Sequence, residues 1–333
     1  MKYKIAINGF GRIGRLTLRS ILERKPKNIK IVAINDLGSL EGNLHLLKYD
    51  SIHGELKEEL DVNGNKLKIS DQEIVFLKES DPSKLNWDDH DVDLVIESTG
   101  FFTKRIDAKK HLDSGAKKVL ISAPATDPDI TVVYGINHNK IDKDHNIISN
   151  GSCTTNCLAP LAFILNKHLG IECGYMTTVH SVTGDQKTID TFHKDLRRAR
   201  NSLLSMIPTS TGAARAVSEV LPDLKGRLDG SAIRVPTANV SLVDFKFLSK
   251  KVTSNEEVNK IFIEAEQDSF KNIIQTTSQP LVSSDFNHNP HSSIVDLSET
   301  KVISDKLCRV LAWYDNEWGF SNRLVDVALK LSK

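Results

Sequence analysis

The sequence predicts an α/β protein of two domains: a first built from parallel strands and connecting helices, and a second of α+β type with a mixed or antiparallel sheet. Three observations predict this. Strand and helix patterns alternate around a run of glycines between residues 4 and 35. A central stretch, Asn150-Gly151-Ser152-Cys153-Thr154-Thr155-Asn156-Cys157, joins an apolar strand pattern to a helical one. Beyond it, strand patterns follow one another with few helices between them, which points to a sheet covered by helices on one face. The 333 residues are long for a single core and comfortable for two domains.

Composition excludes several classes. The net charge is +1, from 44 basic and 43 acidic residues, so no bulk field recruits nucleic acid or a membrane surface. No apolar run approaches the roughly eighteen residues that a membrane span requires, and the start, Met1 to Gly9, has too short an apolar stretch for a signal peptide. Four cysteines in a chain of this length do not make a disulfide framework, so a reducing, cytoplasmic location is expected. All four lie at or beyond Cys153, which agrees with a domain boundary there.

In the first domain, Lys4 to Gly9 reads as a buried strand and is followed by Gly9-Phe10-Gly11-Arg12-Ile13-Gly14. A helix through Leu16, Leu18, Ile21 and Leu22 ends around Pro26, and a strand over Ile29 to Asn35 closes on Asp36, 22 positions after Gly14. Strand, glycine turn, helix, strand and an acid at an offset of roughly 20 form the fingerprint of a Rossmann-type dinucleotide-binding domain. Gly9 permits the tight turn, Gly11 lets backbone approach a pyrophosphate, and Gly14 lets helix and strand pack closely. The Arg12 and Ile13 amides face the pyrophosphate at the helix N-terminus. Asp36 can accept both ribose hydroxyls and would repel a 2′-phosphate, so NAD is the expected cofactor. An Asn63-Gly64 hairpin follows, then strands over Val92 to Ser98 and Val119 to Ser122. Thr99 and Ser122 stand at C-terminal strand ends, where open α/β sheets bind ligands. Ordinary turn chemistry also uses such residues, and the two are singled out as members of a series.

Around the central stretch, a strand through Ile147 and Ile148 ends, small residues turn the chain, and a helix through Leu158, Leu161, Ile164, Leu165 and Leu169 begins with Cys153 in its first turn. Unpaired N–H groups and the helix dipole favour the thiolate there, and the thiolate is the nucleophile. Pro160 inside this helix is expected to remove one hydrogen bond and bend the first turns. Gly174 to His180 is a strand with His180 at its end. A long segment without strand pattern, Ser181 to Pro208, carries Arg197, Arg198 and Arg200. Thr209-Ser210-Thr211-Gly212 opens a helix over Ala213 to Leu221, an anion-binding arrangement. Ala232 to Pro236, Val240 to Leu248 and Val302 to Tyr314 read as strands, Asn255 to Phe270 as an amphipathic helix, and residues 317–333 as a last helix.

A histidine alone at a strand end is ordinarily structural. Beside a helix-terminal cysteine, His180 becomes the candidate general base, which as imidazolium would also stabilise the thiolate. Cys157 lies one helical turn from Cys153, but Cys173 and Cys308 complete no zinc-like spacing. Cys157 therefore reads as a packed residue, and no metal is expected.

Several stretches carry a resemblance. Asn8-Gly9-Phe10-Gly11-Arg12-Ile13-Gly14-Arg15, Ser152-Cys153-Thr154-Thr155-Asn156-Cys157, Ile207-Pro208-Thr209-Ser210-Thr211-Gly212-Ala213-Ala214, Arg234-Val235-Pro236-Thr237 and Trp313-Tyr314-Asp315-Asn316-Glu317 resemble phosphorylating glyceraldehyde-3-phosphate dehydrogenases, in the family's order and over essentially the whole chain. The resemblance implies glycolytic oxidation of glyceraldehyde 3-phosphate with NAD and inorganic phosphate, through a thiohemiacetal and a thioester on Cys153. It implies residues 1–152 as the NAD-binding domain, completed by the helix 317–333, and residues 153–316 as the catalytic and tetramerisation domain of a homotetramer. By motif position, Thr183 and Arg234 would hold the substrate phosphate. Ser152, Arg198, Thr211 and Gly212 would hold the inorganic one, Thr154 would shape the acyl site, and Asn316 would orient the nicotinamide carboxamide. Two positions depart: Ser80 replaces a common arginine near the adenine side, and Thr191-Phe192 replaces a common Leu-Pro associated with NAD specificity. A sister dehydrogenase acting on erythrose 4-phosphate shares the cysteine and histidine and would predict a weakened inorganic-phosphate site.

Overall fold

The computed structural model describes residues 2–333. The chain divides into two compact units, Met1–Ser152 with Ser321–Lys333, and Cys153–Phe320.

The sheet of the first unit has nine strands. Tyr3–Asn8 lies at its centre, with Ile29–Asn35 on one side and Leu94–Glu97 on the other, all parallel. The parallel run continues outward to Gln72–Leu77 in one direction and through Lys118–Ile121, Ile147–Ser149 and Ile130–Thr131 in the other. The Asp61–Asn63 and Lys66–Ile69 hairpin adds an antiparallel edge. Burial on both faces explains why the central strands read as near-continuous apolar runs. Because the chain leaves one side of Tyr3–Asn8 and returns on the other, the strand order reverses beside it. A crevice opens at such a reversal, outside the carboxyl ends of the strands.

The glycine turn fixes how the first helix, Arg12–Arg24, meets this sheet. Gly9 has φ +90° and is so close to the next strand that a Cβ there would lie 2.6 Å from the Thr99 nitrogen. A Cβ at Gly14 would lie 2.2 Å from the Gly9 carbonyl oxygen. Two helices escape the sequence pattern, Leu40–Lys48 and Arg105–Asp113. The second buries only Ala108 and His111, too few apolar positions to leave a helical period.

The second unit is built on an eight-stranded sheet, ordered Ile207–Ser210, Leu228–Arg234, Ile171–His180, Ser241–Ser249, Leu307–Tyr314, Ser293–Asp296, Ile274–Thr277, with Lys301–Ile303 beside Leu307–Tyr314. Ile171–His180 runs parallel to Leu228–Arg234 and antiparallel to Ser241–Ser249, so the sheet is mixed. The helix Cys153–His168 packs on this sheet and against the helices Ala213–Val220 and Asn255–Gln267. It continues through Pro160 to His168.

Three expectations change. Residues 207–210 form an edge strand rather than the approach to a helix, because Pro208 is tolerated at an edge, where one face of the ladder needs no N–H donor. The helix behind them starts at Ala213 and ends at Val220. The last helix is Trp318–Leu331, and the division between units falls inside it, after Phe320.

Gly14→Ala should destabilise the protein by about 1–3 kcal/mol through overpacking against the Gly9 carbonyl. Urea denaturation of the full chain checks this, and an unshifted midpoint would show that the helix can move aside.

Candidate active site

The second unit brings a thiol and an imidazole together. Cys153 is the first residue of its helix, and His180 ends the longest strand of the sheet. Their Sγ and Nε2 atoms are 3.4 Å apart. Nδ1 of His180 lies 2.8 Å from the Ser181 carbonyl oxygen and 2.7 Å from Nη1 of Arg234. A carbonyl only accepts and a guanidinium only donates, so the tautomer decides which of the two is bonded. With its proton on Nδ1 the ring donates to Ser181 and turns a bare Nε2 to the sulfur, as a base requires.

Burial sets the charge state of the pair. It pushes the His180 pKa down to about 3, and the Arg234 charge, with Arg198 behind it, pushes the same way against the Ser181 carbonyl. Burial also raises the Cys153 thiol, opposed by the Arg234 charge and by hydrogen bonds from Thr154. These directions run against an imidazolium beside a thiolate in the free protein. Burial thus opposes the helix N-terminus at the sulfur, while the Arg234 charge favours a thiolate and disfavours an imidazolium.

Beneath the pair lies a residue that sequence reasoning passed over. The buried Tyr314 hydroxyl is 2.8 Å from Oγ1 of Thr154 and 2.9 Å from Oγ1 of Thr178, and its ring meets His180 edge-on. It tethers the helix turn that carries Cys153 to the strand that carries His180. The signals were present: Tyr314 sits in the Trp313-to-Glu317 motif, and Thr178 shares a strand face with His180 two positions later.

Of the other expected residues, Arg234 reaches the pair directly. Arg234 is half-buried, donates to the Ser181 carbonyl (3.0 Å), and has a buried Nε with no hydrogen-bond partner among the described residues. Arg198 donates through Nη1 to Asp185 (2.8 Å) and through Nε to Oγ1 of Thr209 (3.1 Å), which holds it near the strand leading to Thr211. Thr211 accepts from the Ala213 nitrogen (3.2 Å), and Gly212 caps that helix without a side-chain partner. Thr183 is half-buried in the loop after His180, and its carbonyl accepts from Gln186. Ser152 is the turn residue immediately before Cys153. The Asn316 carboxamide oxygen accepts from the hydroxyls of Ser181 (2.9 Å) and Ser241 (2.8 Å), which orients its amide.

In the first unit, a cleft of about 560 Å³ opens at the strand reversal. It is lined by Gly9, Gly11, Asp36, Ser80, Thr99 and Phe101, among others. The helix Arg12–Arg24 starts with neither a side-chain cap nor an acid in its first turn, a setting in which a helix N-terminus favours an anion. The Arg12 side chain itself turns to Asp50. Asp36 is braced by the Phe10 nitrogen (2.8 Å), the Gly38 nitrogen (2.8 Å) and Asn43 (3.2 Å). Ser122 follows its strand but is not among the lining residues. Cleft size, an uncapped helix start and a braced carboxylate fit an NAD molecule. Among the described residues no group of three or more His, Cys, Asp or Glu is placed to hold a metal, and Cys157 is fully buried. Phe192 is 86% exposed.

Comparison with known proteins identifies the scaffold. Residues 3–105 match the model of the glyceraldehyde 3-phosphate dehydrogenase NAD binding domain, and residues 152–316 match that of the C-terminal domain. The glyceraldehyde-3-phosphate dehydrogenase of Xanthobacter flavus is 54% identical over 333 residues, covering 100% of this chain and 99% of that protein. Those of Zymomonas mobilis, 54% identical over 100% of this chain and 99% of the relative, and Geobacillus stearothermophilus, 53% identical over 98% of each, are similar along the same length. With both domain models matched and such relatives spanning it end to end, the chain belongs to the glyceraldehyde-3-phosphate dehydrogenase family.

Proposed function

We propose that Cys153 is the nucleophile and His180 the base in the NAD-dependent oxidation of glyceraldehyde 3-phosphate. The observation that carries this is the 3.4 Å contact between Sγ and a buried, neutral imidazole. As the thiol adds to the aldehyde, its proton passes to Nε2 of His180, and the developing oxyanion of the thiohemiacetal lies near the amides of the helix start. His180 passes that proton on to the oxyanion, giving the thiohemiacetal hydroxyl, and takes it back as the carbonyl re-forms with loss of hydride. Bound in the first unit's cleft, NAD supplies the hydride acceptor. The resulting thioester keeps the acyl group activated until inorganic phosphate attacks the carbonyl and releases the thiol.

Gly9, Gly11, Arg12, Ile13, Gly14 and Asp36 would hold the cofactor, with Thr99 and Ser122 at neighbouring strand ends and Asn316 donating to the carboxamide. Asp36 supports NAD over a 2′-phosphorylated cofactor, since its carboxylate is already braced and no cation stands beside it in the hydrogen bonds it makes. Arg234, with an unpartnered buried Nε, supports a substrate-phosphate site completed by Thr183. Ser152, Arg198, Thr211 and Gly212 would take the inorganic phosphate, and Thr154 would line the acyl position. The presence of Ser152, Arg198, Thr211 and Gly212 in the chain supports glyceraldehyde 3-phosphate over erythrose 4-phosphate, as do the names of the relatives. A homotetramer is supported by exposed apolar side chains between residues 189 and 206, including Phe192, Leu196, Leu204 and Met206. Free cysteines throughout support a reducing, cytoplasmic setting, and no helix among the described residues is long and apolar enough to cross a membrane.

NADH formation from glyceraldehyde 3-phosphate, followed with and without inorganic phosphate, tests the reading. Sustained turnover should require phosphate, and turnover indifferent to it would overturn the second anion site. Cys153→Ser should lower kcat by a factor on the order of 10⁴ or more while NAD binding stays measurable by titration. His180→Asn should slow alkylation of Cys153 by iodoacetamide at neutral pH and move the rise of the rate to higher pH. The sign follows from the neutral ring: above its depressed pKa His180 can take the thiol's proton, and Asn cannot. An unchanged alkylation profile would remove His180 from that role.

A further inference from the structure

A buried polar chain crosses the floor of the cofactor cleft, and none of the roles assigned above uses its central acid. Glu97 ends the strand Leu94–Glu97 and is 1% exposed. Its Oε2 accepts from Nδ2 of Asn8 (2.6 Å) and Nε2 of His111 (3.0 Å), while its Oε1 accepts from the Thr99 nitrogen (2.8 Å) and the Thr99 hydroxyl. On the inner side, Nε1 of Trp87 reaches Nδ1 of His111 at 3.0 Å. On the outer side, Asn35 donates through Nδ2 to Oδ1 of Asn8 (2.7 Å) and clasps the Glu79 backbone, donating to its carbonyl (2.9 Å) and accepting from its nitrogen (2.8 Å).

The polarity of this chain is determined at its inner end. Indole N–H is donor only, so Nδ1 of His111 must accept, the ring is neutral, and its proton sits on Nε2. That proton can go only to an acceptor, which Glu97 supplies as a carboxylate with all four of its described partners donating. Asn8 must then present nitrogen to Glu97 and oxygen to Asn35, and Asn35 must present nitrogen to Asn8 and the Glu79 carbonyl. The Thr99 hydroxyl is committed as a donor, so toward a ligand it can only accept. Asn8, Asn35, Glu79 and Thr99 all line the cleft, and they come from the ends of four adjacent strands or the turns after them. One buried acid therefore orients the rim groups on both sides of the strand reversal.

We infer that Glu97, held by the Trp87–His111 pair, is a positioning residue for the cofactor: it fixes the donor and acceptor pattern of the cleft floor that NAD meets. It touches none of the reacting atoms. A group that acts this way should govern cofactor affinity and leave the steps at Cys153 alone.

The test is Glu97→Gln, which keeps shape but turns one acceptor into a donor. Either rotamer aims the new amide nitrogen at two donors, Asn8 and His111 or the pair on Thr99. KM for NAD and the NAD dissociation constant should rise about tenfold, the scale of one buried polar mismatch. The change in kcat at saturating NAD and in KM for the aldehyde should stay below about twofold, on the same free-energy scale. The paired change Asn8→Asp with Glu97→Gln returns a carboxylate to the chain one link along, where it accepts from the new amide and from Asn35, and it should recover most of the NAD affinity. Equal losses in kcat and in both KM values, an unmoved KM for NAD, or a double variant no better than the single one would overturn the proposal. Should the single variant fail to fold, nitrogen NMR of the unaltered protein still decides. His111 should show a bare Nδ1 and a protonated Nε2 near neutral pH, and a protonated Nδ1 would break the chain at its source.

Discussion

Desolvation of a single proton-sharing pair is the constraint on which the catalytic unit depends. Cys153 and His180 stand 3.4 Å apart in a setting where burial disfavours the charged form of each. A helix N-terminus in water would favour the thiolate, but here the sulfur has lost its solvent as well. The sulfur and the nitrogen proposed to take its proton are already in contact, and Arg234 is held against the same ring. Pre-organisation of this kind costs no rearrangement at the moment of reaction.

The rest of the second unit serves that pair. Tyr314 ties Thr154 to Thr178, and so couples the helix start to the strand end through one buried hydroxyl. The mixed sheet brings residues distant in the chain into register: Arg234 pairs with both His180 and Ile207. A guanidinium is thus delivered to the imidazole by strand pairing rather than by a flexible loop. The first unit uses the same economy in another form. Parallel strands ending at one level align Asn8, Asn35 and Glu97, and the glycine turn packs the first helix closely against them.

Much of this was legible in the chain. The glycine spacing, Asp36 and the central cysteine stretch each combine a local backbone requirement with a chemical one, so they survive without neighbours being known. Elements whose stability comes from the sheet left weaker traces. Gln72–Leu77, Ile274–Thr277 and Ser293–Asp296 are short strands held by their partners, and Arg105–Asp113 has little apolar periodicity. Ile207–Ser210 was obscured by Pro208, whose missing donor matters only if the strand has neighbours on both sides. The effect of burial on the Cys153 thiol left no trace for a related reason: a dipole can be inferred from helix position, but burial cannot.

The sequence by itself determined the α/β class and the dinucleotide turn, and it put Cys153 at a helix start and His180 at a strand end. Each rests on interactions within about one or two turns of chain, where spacing carries the geometry. Tertiary structure decided what depends on groups far apart in the chain: the contact between residues 153 and 180, the buried Tyr314 hydroxyl, the neutral state of His180, and the run from Trp87 to Glu79 beneath the cleft. Solvation and hydrogen-bond polarity are properties of an environment, and that environment exists only once the strands have paired.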